Sequence, residues 1–335
     1  MAGVWAGENV GAACSPSPAG PELRQAVLAE ALTGLRAEPK TLEPWLFYDA
    51  EGSRLFERIT ALPEYYLTRT ERALFERLAP ELASRVGRAT LVELGAGTAA
   101  KTGVLLREFA RRQRGVLYQP VDVSASALEE AAEALTREIA WLQVQPQVSN
   151  YVTEPYEVER PAGMQVLALY IGSSIGNFSP ELQVGILRNL RRQLRAGEKL
   201  LLGLDMAPDA RKTVAQLVAA YDDAAGVTAE FNRNVLVRLN RELGAEFAVE
   251  RFRHVARWNA AASRMEMHLE SAVPQTVTIA GECFSFAAGE TIHTENSYKF
   301  TQAQVDELLL AAGFALEERW ADEAHAYSVV LAQAV

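Results

Sequence analysis

Between residues 21 and 39 the chain reads PELRQAVLAEALTGLRAEP, with apolar positions at helical spacing that stop before a proline, so an amphipathic helix is predicted. TRTERALFERLAPELASRV, residues 68–86, predicts a second helix. From residue 90 the rhythm changes. Short apolar runs, TLVELG, LYQPVDVS, VLALYIGSS and KLLLGLDM, alternate with helical stretches such as ALEEAAEALTREI. That alternation predicts a parallel, doubly wound α/β sheet. Ligands of such sheets lie beyond the carboxyl ends of the strands, which singles out Gly95, Asp122, Gly172 and Asp205.

After Asp205 the alternation ends. Residues 209–243 predict helices joined by GVT, and residues 245–300 predict strands in FRHVARWN, SRMEMHLES, QTVTIAG, CFSFAAG and ETIHTENSYKF. TQAQVDELLLAAGF then predicts a helix and HAYSVVLAQ a strand. Residues 1–20, rich in Ala, Gly, Ser and Pro without periodicity, predict a poorly ordered lead-in. A helical opening, an α/β middle, a mixed insertion and a closing α/β unit imply two domains, one of them discontinuous.

Composition narrows the function. The 335 residues carry 33 basic and 43 acidic side chains, a formal charge of −10, which disfavours partners such as nucleic acid or anionic lipid. Two distant cysteines, Cys14 and Cys283, support neither a disulfide framework nor a cysteine metal site. Four histidines, His254, His268, His293 and His325, show no pair at ligand spacing, so no metal is expected. The N-terminus lacks the positive start and apolar run of a signal peptide, and no apolar run is long enough to span a bilayer. A cytoplasmic protein without a membrane segment is expected.

Several segments could carry chemistry. In LVELGAGTAAKT a strand runs into Gly95-Ala96-Gly97 and then a helix, a turn through which backbone amides approach a ligand. Gly95, Gly97 and Ala100 also satisfy the dinucleotide pattern, but Asp122 follows Gly95 by 27 residues, against the roughly 20 usual for a ribose-binding acid. Glu93, just before the first glycine, has a placement common in methyltransferases of this architecture. A methyltransferase, a dinucleotide enzyme and a purely structural turn all remain open at this point. YIGSSIGNF offers an open backbone at Gly172 and one amide side chain, Asn177, which a helix cap would equally explain. In HTENSYKF, a strand over 291–299 would put His293, Glu295, Ser297 and Lys299 on one face, as a polar pocket wall or as a wet edge. Phe47, Tyr48, Phe56, Tyr65 and Tyr66 form an aromatic cluster that suits a core or a cationic ligand. Tyr221 stands beside two acids in AAYDD.

In this order, FYDAEGSRLFERIT, LPEYYLTRTE, LVELGAGTAAKT, PVDVS, GSSIGNF, AAYDDAAGVTAEFNRNVLVRLNRELGAEF, RMEMHLES and FAAGETIHTENSYKF resemble the L-histidine Nα-methyltransferase family of ergothioneine biosynthesis. The resemblance runs from about residue 20 to the C-terminus. It implies a Rossmann-like class I methyltransferase sheet (70–207 plus 300–335) with a second, discontinuous α+β substrate-binding domain (21–69 plus 208–299). It further implies transfer of three methyl groups from S-adenosylmethionine to the α-amine of L-histidine, giving hercynine, by a monomer.

By the same resemblance, Gly95 and Lys101 contact the methionine end of the cofactor, Asp122 its ribose, and Asn150 with Tyr151 its adenine. The family usually has Gly-Asp-Phe where this chain has Ser149-Asn150-Tyr151; an Asn side chain both donates and accepts where a carboxylate only accepts. Asn177 and Tyr221 match the carboxylate-binding pair, Gly172 and Tyr48 lie near the α-amine, and Phe56 lines the pocket. Tyr65, Glu295 and Ser297 match the imidazole-binding trio, and Met267 a residue beside that ring. Tyr48, Gly172 and Asn177 are the matches closest to the reaction. The segment from Asp205 to Tyr221 is about one helical turn longer than usual. The rivals are methylation of another amino acid of the Trp or Tyr type, a dinucleotide-dependent oxidoreductase, and a non-catalytic cofactor-binding module.

Overall fold

The computed structural model describes residues 20–335 apart from Thr98, Ala100, Thr153 and Pro155. The predicted lead-in, with Cys14, lies outside them except for Gly20, as does Ala100 of the glycine pattern. The chain opens with helices α1 (Pro21–Arg36), α2 (Ala50–Thr60) and α3 (Tyr66–Val86). Alternation follows: β1 (Ala89–Leu94), α4 (Thr102–Gln113), β2 (Val116–Asp122), α5 (Ala125–Glu138), β3 (Leu142–Val144), β4 (Gln147–Val148), β5 (Gln165–Tyr170), α6 (Pro180–Gln193) and β6 (Lys199–Asp205). Helices α7 (Val214–Ala219) and α8 (Val227–Leu243) lead to strands β7 (Phe252–Asn259), β8 (Arg264–Ser271), β9 (Gln275–Ile279), β10 (Glu282–Phe286) and β11 (Thr291–Tyr298). Helix α9 (Gln302–Ala312), β12 (Phe314–Ala321) and β13 (Tyr327–Ala334) close the chain.

The main sheet runs β12-β13-β6-β5-β1-β2-β3, with β4 also on β2. Strands β3, β2, β1, β5 and β6 are parallel, and β13 and β12 are antiparallel additions. This is the Rossmann-like methyltransferase sheet. The strand order reverses between β1 and β5, so the crevice opens beyond Leu94 and Tyr170. Inner strands are apolar on both faces because both are covered. Leu91, Leu167 and Leu201 pack with Leu74, Leu78 and Leu105 on one side, while Val92, Ala168 and Leu202 pack with Ile186 and Leu309 on the other. A third apolar cluster joins Val27, Leu55 and Ile59 to Leu236, Leu239, Met267 and Ile292. There α8 packs on the antiparallel sheet β11-β8-β7, and α1 and α2 pack on α8.

Helix starts follow local chemistry. Asp49 accepts the N–H of Gly52 at α2, Ser124 that of Ala127 at α5, and Thr301 with Gln304 forms a capping box at α9. Two elements differ from the sequence pattern. Strand β12 is not announced by apolar alternation, because it is an edge strand whose middle is exposed and which pairs with β13 alone. Strand β11 carries a bulge at Thr294: His293 pairs with His268, but Glu295 pairs with Met267. One extra residue reverses the alternation, so His293 leaves the face shared by Glu295 and Ser297 and stacks on His268, ring centroids 4.7 Å apart. No helix among the described residues is long and apolar enough to cross a membrane.

Candidate active site

The residues at the end of β1 divide their work. Glu93 is buried, accepting from Thr102 Oγ1 at 2.7 Å and from the Tyr118 hydroxyl, so it anchors the start of α4 and does not face the crevice. Burial pushes its carboxyl up to about 7 against those hydrogen bonds. Asp122, at the tip of β2, does face it: Gly97 N–H donates to its Oδ2 at 3.0 Å and Ser124 N–H to its Oδ1 at 2.9 Å. Each oxygen is thereby fixed while a lone pair remains, an arrangement suited to the two hydroxyls of a ribose. Tyr151 leans over the same turn, its hydroxyl 3.1 Å from where a Cβ on Gly95 would stand, and its ring meets Tyr170 edge-on at 5.8 Å. The exposed Asn150 side chain accepts from Val152 N–H at 3.2 Å.

Beside this turn a buried carboxylate organises the next strand end. Glu71 on α3 pairs with the Lys101 ammonium at 2.6 Å and accepts from Gly172 N–H at 2.7 Å and from the Tyr327 hydroxyl at 2.5 Å. Gly172 sits at φ +78°, and a Cβ there would lie 2.8 Å from Lys101 Nζ. Only glycine meets both demands without strain.

The opposite wall is aromatic. Phe56 meets Tyr48 edge-on at 5.9 Å and Tyr65 at 6.3 Å, and all three rings pack around Phe231 or the cluster that contains it. Tyr48 stands between the two halves. Surrounding protein raises its phenol pKa, and Glu295, Tyr65, Asp122 and Tyr151 are all near enough to add to the rise, although 46 % of the residue stays exposed. The hydroxyl therefore keeps its proton near neutrality. Across β8 and β11, Met267 lies directly opposite Glu295 and Met265 opposite Ser297, so these four form one patch of pocket wall. Burial pushes the Glu295 carboxyl up to about 7, with Lys299 acting against it.

Behind that wall lies a polar hub. Asp205, fully buried at the end of β6, holds Lys299 at 2.7 Å and Lys212 at 2.5 Å and accepts from the Tyr66 hydroxyl at 2.7 Å. Desolvation works against its charge, but the two ammonium groups hold its carboxyl below the usual range. Lys299 also donates to Tyr221 Oη at 2.7 Å and Ser297 Oγ at 2.8 Å, and Tyr221 donates to Ser297 at 2.9 Å. His254 Nε2 lies 2.8 Å from the Tyr221 carbonyl oxygen, holding the residue from behind. Asn177 ends the 3-10 turn Ser174–Asn177, which packs against β11. The segment between Asp205 and Tyr221 contributes Lys212 to the hub.

Over residues 27–334 the sequence matches the family described as histidine-specific, SAM-dependent methyltransferases. The chain belongs to this family. It is 43 % identical over 311 residues to a histidine N-alpha-methyltransferase of Mycobacterium tuberculosis (strain CDC 1551 / Oshkosh), covering 92 % of this chain and 94 % of that one. Its counterpart in Mycolicibacterium smegmatis (strain ATCC 700084 / mc(2)155) is 40 % identical over 92 % and 95 % of the two chains. An L-tryptophan methyltransferase of Psilocybe serbica is 27 % identical over 92 % of each. As a member of this family the chain is an S-adenosylmethionine-dependent methyltransferase, and the doubly anchored Asp122 beside the Gly95–Gly97 turn fits that cofactor.

The fold brings Tyr48, Phe56, Tyr65, Tyr221, Met267, Glu295 and Ser297 around one region and gathers Gly95, Lys101, Asp122 and Tyr151 next to it. Tyr221 and Ser297, expected at opposite ends of a bound histidine, touch in this structure. Sequence reasoning missed Glu71, Lys212 and Tyr327, and it saw Tyr66 only as one ring of the aromatic cluster, not as a partner of Asp205. Glu71 had a signal: it occupies a core position in the helical series Leu67, Glu71, Leu74, Phe75, Leu78, where a charge demands a buried partner.

Proposed function

We propose that this methyltransferase converts L-histidine to hercynine by three successive methylations of the α-amine. The observation that carries the reading is the Glu295–Ser297 pair beside Met267 and Tyr65. It offers a carboxylate acceptor and a hydroxyl on one wall, which suit a polar five-membered ring and serve no purpose for an apolar side chain. Asn177 and Tyr221 would take the substrate carboxylate, Gly172 and Tyr48 the amine, and Phe56 the edge of the pocket. On the cofactor side Gly95 and Lys101 would hold the methionine end, Asp122 the ribose, and Asn150 with Tyr151 the adenine. The division of labour follows two units: residues 70–207 with 300–335 hold the cofactor, and 21–69 with 208–299 hold the substrate. The protein would work as a cytoplasmic monomer on the free amino acid.

S-adenosylmethionine, when bound, supplies an electrophilic methyl group. The protein's part is alignment and proton handling. Going from an ammonium to a trimethylammonium group releases three protons in all. An α-amine with a pKa about a unit above the peptide value of 7.7–8.0 gives up each proton for roughly 1–3 kcal/mol near neutrality, so no strong base is needed. Tyr48, whose phenol stays protonated, positions the amine through its oxygen and does not act as the base. Holding the amine in line contributes several kcal/mol of the acceleration. Incubation with S-adenosylmethionine and a mixture of amino acids, followed by mass spectrometry, tests the reading: trimethylated histidine is expected, and a different methylated amino acid would replace it.

A further inference from the structure

We propose that Asn232 on α8 is a positioning residue for both ends of the substrate: one amide side chain holds the bulged Thr294 beside Glu295 and, through His254, the backbone of Tyr221. The inference rests on the reading of Glu295 and Tyr221 as substrate contacts. Asn232 is fully buried. Its Oδ1 accepts from the Thr294 hydroxyl at 2.8 Å, and its Nδ2 donates to the His268 carbonyl oxygen at 3.0 Å and meets His254 Nδ1 at 2.8 Å. A carbonyl only accepts, so His268 fixes which way the amide lies: turned over, it would set oxygen against oxygen. His254 Nδ1 must then accept from the amide, which leaves the ring hydrogen on Nε2, where it donates to the Tyr221 carbonyl oxygen at 2.8 Å. Burial lowers the His254 pKa, in keeping with a neutral ring. The chain of donors therefore runs one way, from Thr294 to Asn232, from Asn232 to His254 and from His254 to Tyr221.

Both ends of this chain need such an anchor. Thr294 is the extra residue of the β11 bulge, with no residue of β8 opposite it, so the strand ladder does not set its orientation. Its hydroxyl is caught between Asn232 and the Met267 carbonyl oxygen, 3.0 Å away, and Met267 is the residue that faces Glu295. A turn of the backbone at Thr294 would carry Glu295, the next residue, with it. Tyr221 lies in the stretch between α7 and α8, outside either helix, where its carbonyl has no place in a helical ladder. The His254 bond supplies that carbonyl with a partner and ties it to β7. One buried amide thus sets the spacing between the residue expected on the ring and the residue expected on the carboxylate, and a shift of about an ångström at such a group costs on the order of 10²-fold.

The test is histidine binding by calorimetry on protein saturated with S-adenosylhomocysteine, in Asn232→Leu, Thr294→Val, Thr294→Ser and the double variant of the first two. Valine nearly keeps the shape of Thr294 and lacks the hydroxyl; serine keeps the hydroxyl. Histidine affinity should fall about tenfold or more in Asn232→Leu and Thr294→Val and return most of the way in Thr294→Ser, while S-adenosylhomocysteine binds all of them as before. The double variant should bind histidine about as weakly as Asn232→Leu alone, because both changes cut the same chain, whereas independent effects would multiply and overturn the proposal. A purely structural role would lower the number of binding sites per mole of protein and leave the affinity of the remaining sites unchanged, which also overturns it. If Asn232→Leu does not fold, the two Thr294 variants decide: undiminished histidine affinity in Thr294→Val overturns this inference alone. Failure of the unaltered protein to bind histidine would instead overturn the substrate reading, and the inference with it.

Discussion

Glu71 and Gly172 are 101 residues apart in sequence, yet the buried carboxylate of one receives the amide N–H of the other at 2.7 Å. Through the same side chain, α3 fixes the Lys101 ammonium and the Tyr327 hydroxyl, so three strand-end segments depend on one group. Removing one partner of a buried pair leaves the others uncompensated, which costs about 3–5 kcal/mol in fully buried cases. Lys101 keeps 26 % of its side chain exposed, so Glu71→Ala should cost about 2–4 kcal/mol in urea unfolding. Glu71→Gln, which retains an acceptor for Gly172, should recover part of that loss. A change in the urea midpoint no larger than that of a surface substitution would show that the carboxylate does not hold these segments.

At Glu295 the requirements of binding and of stability conflict. Its carboxyl is raised from the ordinary 4.5 to about 7 by burial, so between those pH values the folded protein holds a proton that the unfolded chain releases. Stability from this group is therefore present at low pH and declines as pH rises through the window, by up to about 3 kcal/mol at 1.36 kcal/mol per unit. Glu295→Gln should be more stable than the unaltered protein at pH 8, by about 1–3 kcal/mol in urea unfolding, with the difference vanishing near pH 4.5. The same variant, and Glu295→Ala, should raise the KM for histidine about tenfold or more while S-adenosylhomocysteine affinity holds. Calorimetry that finds undiminished histidine affinity in Glu295→Ala would remove the residue from the pocket.

The sheet was legible because β1, β2, β5 and β6 are buried on both faces and write themselves as apolar runs, with helices between them. The aromatic series and the Glu295–Ser297 pair came into view through the family resemblance, and the fold gathers the rings of Tyr48, Phe56 and Tyr65 and puts Glu295 and Ser297 opposite Met267 and Met265. What stayed hidden depends on long-range partners. The bulge at Thr294 moves His293 to the other face, and its cause lies in the pairing of β11 with β8, not in the local residues. Asp205 and Tyr66 could each be singled out along the chain, but they lie 139 residues apart, so no spacing announces that they meet each other and Lys212. Strand β12 follows from its partner β13, since residues such as Glu317 and Glu318 give it no apolar face.

For the cofactor end, Asp122 is the residue to probe. Its two oxygens each accept one backbone N–H, from Gly97 and Ser124, so the carboxylate is oriented before any ligand arrives. Asp122→Asn presents an N–H₂ group to one of those amides, which misplaces the turn and leaves one acceptor where two were. S-adenosylhomocysteine affinity should fall about tenfold or more, the scale of a lost charge-assisted hydrogen bond with its buried partner left unmet. Titration calorimetry reads this directly, and affinity equal to that of the unaltered protein would reassign the ribose contact.

Gly176 decides how closely the Asn177 turn approaches β11. A Cβ at this position would lie 2.7 Å from the Tyr298 carbonyl oxygen and 3.5 Å from its amide nitrogen, and backbone atoms of a paired strand have little room to yield. Gly176→Ala should therefore displace the turn, not merely crowd it. Asn177 is the turn's last residue and Ser297 is the neighbour of Tyr298, so the displacement separates two groups expected on the substrate. Asp122, the residue expected on the ribose, stands at the end of β2, outside this turn. Steady-state kinetics on Gly176→Ala should show the KM for histidine raised about tenfold or more with S-adenosylhomocysteine affinity unchanged, since misplacement by an ångström at a positioning group costs on the order of 10²-fold in rate. Urea unfolding should show a loss of about 1–3 kcal/mol from the overpacked contact. Unchanged kinetics together with that stability loss would place Asn177 outside the substrate contacts and return it to the role of a turn-closing side chain.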